Sequence, residues 1–139
     1  MVASFKDIQD AFEFVSFGSE YEHNAFICKH TGKVYCQSEV EEIDEELPVD
    51  LDDERKYIAI PHKNDLGLGK TLALDFASQF LENDFEKVQD IFRHKGAYSR
   101  FKDILERSGI LAQWYEFEAK AQEKALRDWC EINSIEVSG

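Results

Sequence analysis

Hydrophobic positions at the start of the chain recur at helical spacing: Phe5, Ile8, Phe12 and Val15 share one face of a 3.6-residue repeat. Ser4, with Asp7 three residues on, reads as a capping box in front of that face. Phe17-Gly18-Ser19 ends the pattern as a turn. The character then changes to strand. Asn24–Lys29 and Lys33–Cys36 are strand-like runs around His30-Thr31-Gly32, with Gly32 supplying the positive φ of a tight hairpin turn. Lys56–Ile60, short, apolar and β-branched, is stopped by Pro61 and predicts a third strand. Short strands joined this way make a small antiparallel sheet.

Beyond Gly69 the helical period returns and holds almost to the end. Leu72, Phe76 and Phe80 lie at i, i+4 and i+8, with Ala73, Ala77 and Leu81 beside them. Asn83 interrupts, and Phe85, Val88, Ile91 and Phe92 form the face of a second helix. Gly96 reads as the C-cap of that helix, with Arg93, His94 and Lys95 in its last turn, where positive charge suits the dipole. Tyr98, Phe101, Ile104 and Leu105 predict a short third helix ended by Gly109; Phe101 falls inside and Tyr98 at the edge with its hydroxyl in water. Leu111 to Glu131 is the longest helix, with Leu111, Trp114, Tyr115, Ala121, Ala125 and Trp129 on its inner side. Ser134–Val137 adds a final edge strand. The expected fold class is α+β: an N-terminal helix, an antiparallel sheet of about three strands, and a C-terminal half of about four helices. One domain is expected over 1–139, with helix and sheet in 1–61 and the helical part in 62–139.

Charge changes the picture more than composition does. The 139 residues hold 29 Asp and Glu against 16 Lys and Arg, a net of −13. Nine of those acids fall between residues 41 and 54: Glu41, Glu42, Asp44, Glu45, Glu46, Asp50, Asp52, Asp53 and Glu54, with no Lys or Arg among them. The remainder of the chain is left at only −4. The excess is therefore local, and it marks Glu41, Glu42, Asp44, Glu45, Glu46, Asp50, Asp52 and Asp53 as candidates for contact with a basic partner. Nucleic acid and anionic membrane are disfavoured, because phosphate binding needs a basic excess. Three cysteines argue against a disulfide framework. The acidic N-terminus is unlike a signal peptide, and no run is long and apolar enough to span a bilayer. The expected location is cytoplasmic, with reduced thiols.

Catalytic and metal motifs do not rise above background. Gly67-Leu68-Gly69-Lys70-Thr71 ends like a phosphate loop, but the first glycine of that motif would fall on Asn64. His23, Cys28, His30 and Cys36 lie on or near one hairpin, yet seven residues separate the cysteines and no second close pair exists, so no metal is expected. If the hairpin turn holds two residues, Cys28 and Cys36 fall on opposite faces. Cys130 follows Trp129 on an apolar helix face and reads as core. No cofactor is expected.

One stretch reverses the prevailing charge. Arg93, Lys95, Arg100 and Lys102 stand against a single acid, Asp103, between residues 93 and 103. Gly96 at a helix junction would expose amides at the start of the next helix, where anions bind, and Tyr98 or Phe101 offers a ring for stacking. Lys95, Tyr98, Arg100 and Lys102 are thus candidates for an anionic ligand; the competing reading pairs these cations with the acidic segment of the same chain.

The same residues carry a resemblance. Cys28-Lys29-His30-Thr31-Gly32-Lys33-Val34, Asp53–Pro61 and Gly96-Ala97-Tyr98-Ser99-Arg100-Phe101-Lys102-Asp103 resemble, in order, segments of uncharacterised protein family 0158. The last is similar to that family's G-A-F-x-R-F-K-D signature, with Tyr98 in place of Phe. Trp114-Tyr115-Glu116-Phe117 and Ala125–Cys130 resemble its closing helix. The resemblance implies a single domain of bacterial or phage origin and supplies no activity. Together these readings describe a non-catalytic binding or regulatory domain. It would meet a basic protein through 41–54 and an anionic ligand through 93–102. The alternatives are an acidic inhibitor or mimic of the anti-restriction or immunity type, and an enzyme acting on a phosphate-bearing small molecule. Oligomeric state is left open.

Overall fold

The computed structural model describes residues 1–17, 22–38 and 46–139. The fold is α+β: an N-terminal helix, a three-stranded antiparallel sheet and a helical C-terminal half, with five α-helices among the described residues. In chain order the elements are β1 (Val2–Ser4), α1 (Phe5–Ser16), β2 (His23–Cys28), β3 (Val34–Ser38), β4 (Tyr57–Ala59), α2 (Lys70–Phe80), α3 (Phe85–Ile91), α4 (Ala97–Arg107), α5 (Leu111–Ile132) and β5 (Glu136–Ser138). They group into two compact units, residues Met1–Leu66 with Ala125–Gly139, and residues Gly67–Lys124. The expected turn at Gly18-Ser19 lies outside the described residues.

In the first unit, α1 forms where its cap and its apolar face predict. Ser4 Oγ accepts the Asp7 N–H at 3.3 Å, and Phe5, Ile8, Ala11, Phe12 and Val15 are buried. The face meets β2, whose alternate residues His23, Ala25 and Ile27 are the buried ones. The sheet order is β3-β2-β4, antiparallel throughout. Ala25 lies opposite Cys36 and Phe26 opposite Tyr35. Cys28 closes the ladder on Lys33 across a four-residue loop, not a two-residue one, with the Gly32 N–H donating to Cys28 O at 2.8 Å. The Lys63–Leu66 3₁₀ turn is tied back to α1 by the Lys63 N–H on Ser16 Oγ.

Two features of this unit depart from the sequence reading. The chain opens with a strand, β1, and the terminal strand pairs with it, in parallel, instead of edging the antiparallel sheet: Val2, Ala3 and Ser4 face Glu136, Val137 and Ser138. Gly32 also serves this pair. Its φ of 79° suits a glycine, and a Cβ there would stand 2.2 Å from the Val2 carbonyl oxygen. α5 stops in a Schellman motif, with Ser134 N–H on Glu131 O and Ile135 N–H on Cys130 O, and places Ser134 in the left-handed region at φ 57°.

The second unit is built on one aromatic cluster. Leu72, Ala73, Phe76, Ala77, Leu81, Val88, Phe101, Ile104, Leu105 and Trp114 are buried together. Trp114 stands edge-on to Phe76 at 5.3 Å and to Phe101 at 5.1 Å between centroids. Burial of each such ring contributes about 1.5–3 kcal/mol, and each edge-to-face pair roughly 0.5–1.5 kcal/mol beyond it. The Trp114 Nε1–H is the one buried side-chain polar atom without a hydrogen-bond partner among the described residues. Phe80 and Tyr115, expected inside, are 49% and 46% exposed. Eight residues at 100° each carry Phe80 some 80° round the helix from Leu72; Tyr115, next to Trp114, is rotated 100° off its stripe. Leu126 and Cys130 are the residues that α5 buries in its last turns.

Candidate functional site

The residues between α3 and α4 differ from expectation at their junction. α3 ends at Ile91, and turn hydrogen bonds carry the chain on to His94. Gly96, at φ 74°, is the N-cap of α4 and not the C-cap of α3. It makes no side-chain capping bond. The Arg100 N–H is the first to reach back, to Gly96 O at 3.3 Å, so the opening amides of an eleven-residue helix stand at this junction with its partial positive charge.

Around that helix start, Arg93 Nη1 lies 3.9 Å and His94 Nε2 4.0 Å from Asp90 Oδ1. Lys95 and Arg100 are exposed and have no ion pair or hydrogen-bond partner among the described residues for their side chains. Lys102 is placed differently. Two helical positions from Arg100, it points about 200° away round α4 and lies 5.7 Å over the exposed Tyr115 ring. Arg100 and Lys102 therefore do not close on one ligand from the same side.

Of the two rings of the expected stacking platform, Phe101 is buried and Tyr98 half-buried. Phe101 is fully buried between Phe92 and Trp114. Tyr98 packs edge-on against Phe92 at 5.2 Å, and burial, with the Glu118 charge nearby, pushes its hydroxyl above the ordinary tyrosine range. What remains of the expected set as an accessible cationic site is Lys95 and Arg100 beside the α4 amides.

The acidic segment is only partly described: Glu41, Glu42, Asp44 and Glu45 lie outside the described residues. Of the rest, Asp50 and Asp53 are already engaged. Asp50 accepts Lys56 Nζ at 2.6 Å and the Tyr57 hydroxyl at 3.2 Å. Asp53 accepts Arg55 Nε at 3.2 Å, Nη2 at 3.3 Å and the Arg55 N–H at 3.0 Å. The hydrogen bond from Lys56 holds the Asp50 carboxyl below the usual carboxylate range, and those from Arg55 do the same at Asp53. Leu51 between them is buried. Glu46, Asp52 and Glu54 are exposed. The cations that meet Asp50 and Asp53 are thus their own neighbours, Lys56 and Arg55, by 2.6–3.3 Å contacts.

The remaining sequence candidates are structural or separated. Lys70 opens α2 after Gly69, and β4 before it is an antiparallel edge strand, so the setting of a phosphate loop, a parallel strand running into a helix, is not formed. On the hairpin, Cys36 shares the Ala25 face and Cys28 the opposite one. No group of three or more His, Cys, Asp or Glu side chains is gathered as for a metal ion among the described residues.

Two recesses were not legible in the sequence. His23 and His62, both buried, line one of about 270 Å³ with Asn24, Ile60 and Asp65. His23 Nδ1 is 2.9 Å from Ser38 Oγ, and its ring lies against Phe14 and Phe17. His62 Nδ1 accepts the Asn64 N–H at 3.1 Å, and the His62 N–H donates to Asp65 Oδ2 at 3.0 Å. The second recess, about 400 Å³, is lined by Cys28, Lys29, His30, Arg55, Lys56 and Tyr57. Only the β2–β4 register, which sets Cys28 opposite Tyr57, brings these together.

No helix among the described residues is long and apolar enough to cross a membrane. No family model matches the chain, and no curated protein and no solved structure does.

Proposed function

We propose that the protein is a non-catalytic binding domain that takes an anionic group, on a small ligand or a partner protein, at the start of α4. The observation that carries this reading is the standing of Lys95 and Arg100. In a chain of net −13, both are exposed and without an ion pair among the described residues, beside the start of a helix whose N-cap, Gly96, has no side chain to cap it. Backbone N–H groups aimed along a helix axis and a guanidinium with a fixed fork of donors are the two protein groups best suited to phosphate and carboxylate oxygens. The acidic segment supports a basic partner less well, because Asp50 and Asp53 already hold Lys56 and Arg55. The Gly96–Asp103 stretch is also the part of the sequence most similar to uncharacterised protein family 0158, and membership of that family belongs to this same reading.

The test is a thermal-shift titration with pyrophosphate at constant ionic strength, on wild type and on the Lys95→Ala/Arg100→Ala pair. At a hundred times its dissociation constant a ligand adds about 2.7 kcal/mol of stability. A rise in the wild-type midpoint that the double variant loses supports the site. A rise of equal size in both proteins, or none in wild type, removes the basic cluster from consideration.

A further inference from the structure

The histidine-lined recess belongs wholly to the first unit, and its chemistry is independent of the α4 reading. It lies where β2 begins and the chain leaves β4, and the Ile60 N–H on Ala25 O at 2.8 Å continues the ladder between them. Val15, Ile60 and Pro61 give it apolar walls. Its volume of about 270 Å³ falls below the ~300–1,000 Å³ of drug-sized pockets, which suits a small ligand.

His23 is only 2% exposed. Ser38 Oγ occupies its Nδ1 at 2.9 Å, and Phe14 and Phe17 lie against the ring. Its Nε2 has no partner among the described residues. Among those residues Trp114 Nε1 is the one side-chain atom both sealed from solvent and unpartnered. The bare His23 Nε2 therefore opens onto the recess that the residue lines. Asp65 is the one carboxylate of the lining, and no Lys or Arg lines it among the described residues. The His62 N–H fixes Asp65 Oδ2 at 3.0 Å, while Oδ1 has no partner among the described residues. A carboxylate oxygen and a buried imidazole nitrogen thus stand open in one small space with apolar walls.

We propose that this recess binds a primary ammonium group carried on a short apolar chain. An ammonium has three donors and no acceptor. It answers Asp65 Oδ1 with a charge-assisted hydrogen bond and the lone pair of His23 Nε2 with a second, and the apolar walls take the chain. An anion would meet Asp65 with like charge. Binding also fixes a tautomer: with Nε2 accepting, the His23 proton sits on Nδ1 and donates to Ser38 Oγ. The ammonium has two sources, a free alkylamine or the lysine side chain of a basic protein.

The test is an NMR titration at constant ionic strength and pH 8, above the ordinary range of imidazole. It uses n-butylamine, the uncharged isostere n-butanol, and Nα-acetyl-lysine methylamide. The His23 ring and the backbone amides of Asn24, His62 and Asp65 are followed. Butylamine should shift them saturably with a dissociation constant of about 1–10 mM, as so small a ligand allows, and butanol should bind at least about fivefold more weakly. Asp65→Asn keeps an acceptor for the His62 N–H and should weaken butylamine about fivefold. His23→Phe keeps a ring against Phe14 and Phe17 and should weaken it about tenfold; circular dichroism checks that both variants are folded. Tighter binding of the lysine derivative than of butylamine supports the site with a protein side chain as its ligand, and binding of butylamine alone supports it with a free amine. No saturable shift of the His23 ring in wild type, or unchanged butylamine affinity in Asp65→Asn, overturns the site. Equal affinity for butanol and butylamine overturns the ammonium assignment.

Discussion

Around the turn before β4, Asp50 holds Lys56 and Tyr57, and Asp53 holds Arg55. At the start of α4, Lys95 and Arg100 stand exposed without such partners among the described residues. Both stretches stand out in the sequence as runs of one charge, the first with nine acids and no base over 41–54, the second with four bases against one acid over 93–103. The difference arises because opposite charges follow the acids within six residues, in a turn that folds back on itself, whereas the cations flank a helix start whose own dipole is positive. A charge run is therefore a poor guide to a binding surface until the local turns are known.

Glycines give the sharpest way to break the comparison. Gly32 and Gly96 share a left-handed φ, 79° and 74°. A Cβ at Gly32 meets the Val2 carbonyl oxygen at 2.2 Å, while at Gly96 it meets nothing within 4 Å. Gly32→Ala should cost about 4 kcal/mol or prevent folding, from clash and strain together. Gly96→Ala should cost about 1 kcal/mol, from backbone conformation alone. Urea denaturation of the two variants measures the gap.

A smaller effect of opposite sign is expected at the end of α5. Gly109 and Ser134 occupy the same Schellman position, but Ser134 does so at φ 57° with a side chain. Ser134→Gly should raise stability by about 0.5–1 kcal/mol, read as a higher urea midpoint at unchanged slope.

Acid titration separates the two charged stretches. Lys56 and Arg55 depress the Asp50 and Asp53 carboxyls. Their contribution is thus complete above the ordinary carboxylate value and fades as pH falls through the depressed one. Lys56, raised by Asp50, contributes below the ordinary lysine value and fades as pH climbs through the raised one. Asp50→Asn should flatten the acid limb of a midpoint-against-pH curve, a small change for side chains this exposed. Smallest of all, the Lys95→Ala/Arg100→Ala pair should leave unliganded stability within about 0.5 kcal/mol, since neither side chain is buried and neither has an ion pair among the described residues. A larger loss would make the cluster structural.

Elements with strong local signals were legible in the sequence: α1 from Ser4, Asp7 and its apolar face, the hairpin from Gly32, and α2 to α5 from their hydrophobic period. β1 was not, because three residues of strand acquire meaning only from a partner at Glu136–Ser138, far along the chain. The basic cluster was visible as composition, but its usable part was not. Which of Lys95, Tyr98, Arg100 and Lys102 face one place depends on where α4 begins, and Gly96 fits either helix end by its φ alone. The Cys28 recess needs the β2–β4 register, which no local pattern encodes.

The most direct measurement is an amide ¹H–¹⁵N NMR titration with pyrophosphate at constant ionic strength. The account predicts that the backbone amides of Ala97, Tyr98, Ser99 and Arg100 shift most and saturate together, and that Lys95→Ala/Arg100→Ala abolishes the change. Shifts that leave those four amides in place while others move would contradict it.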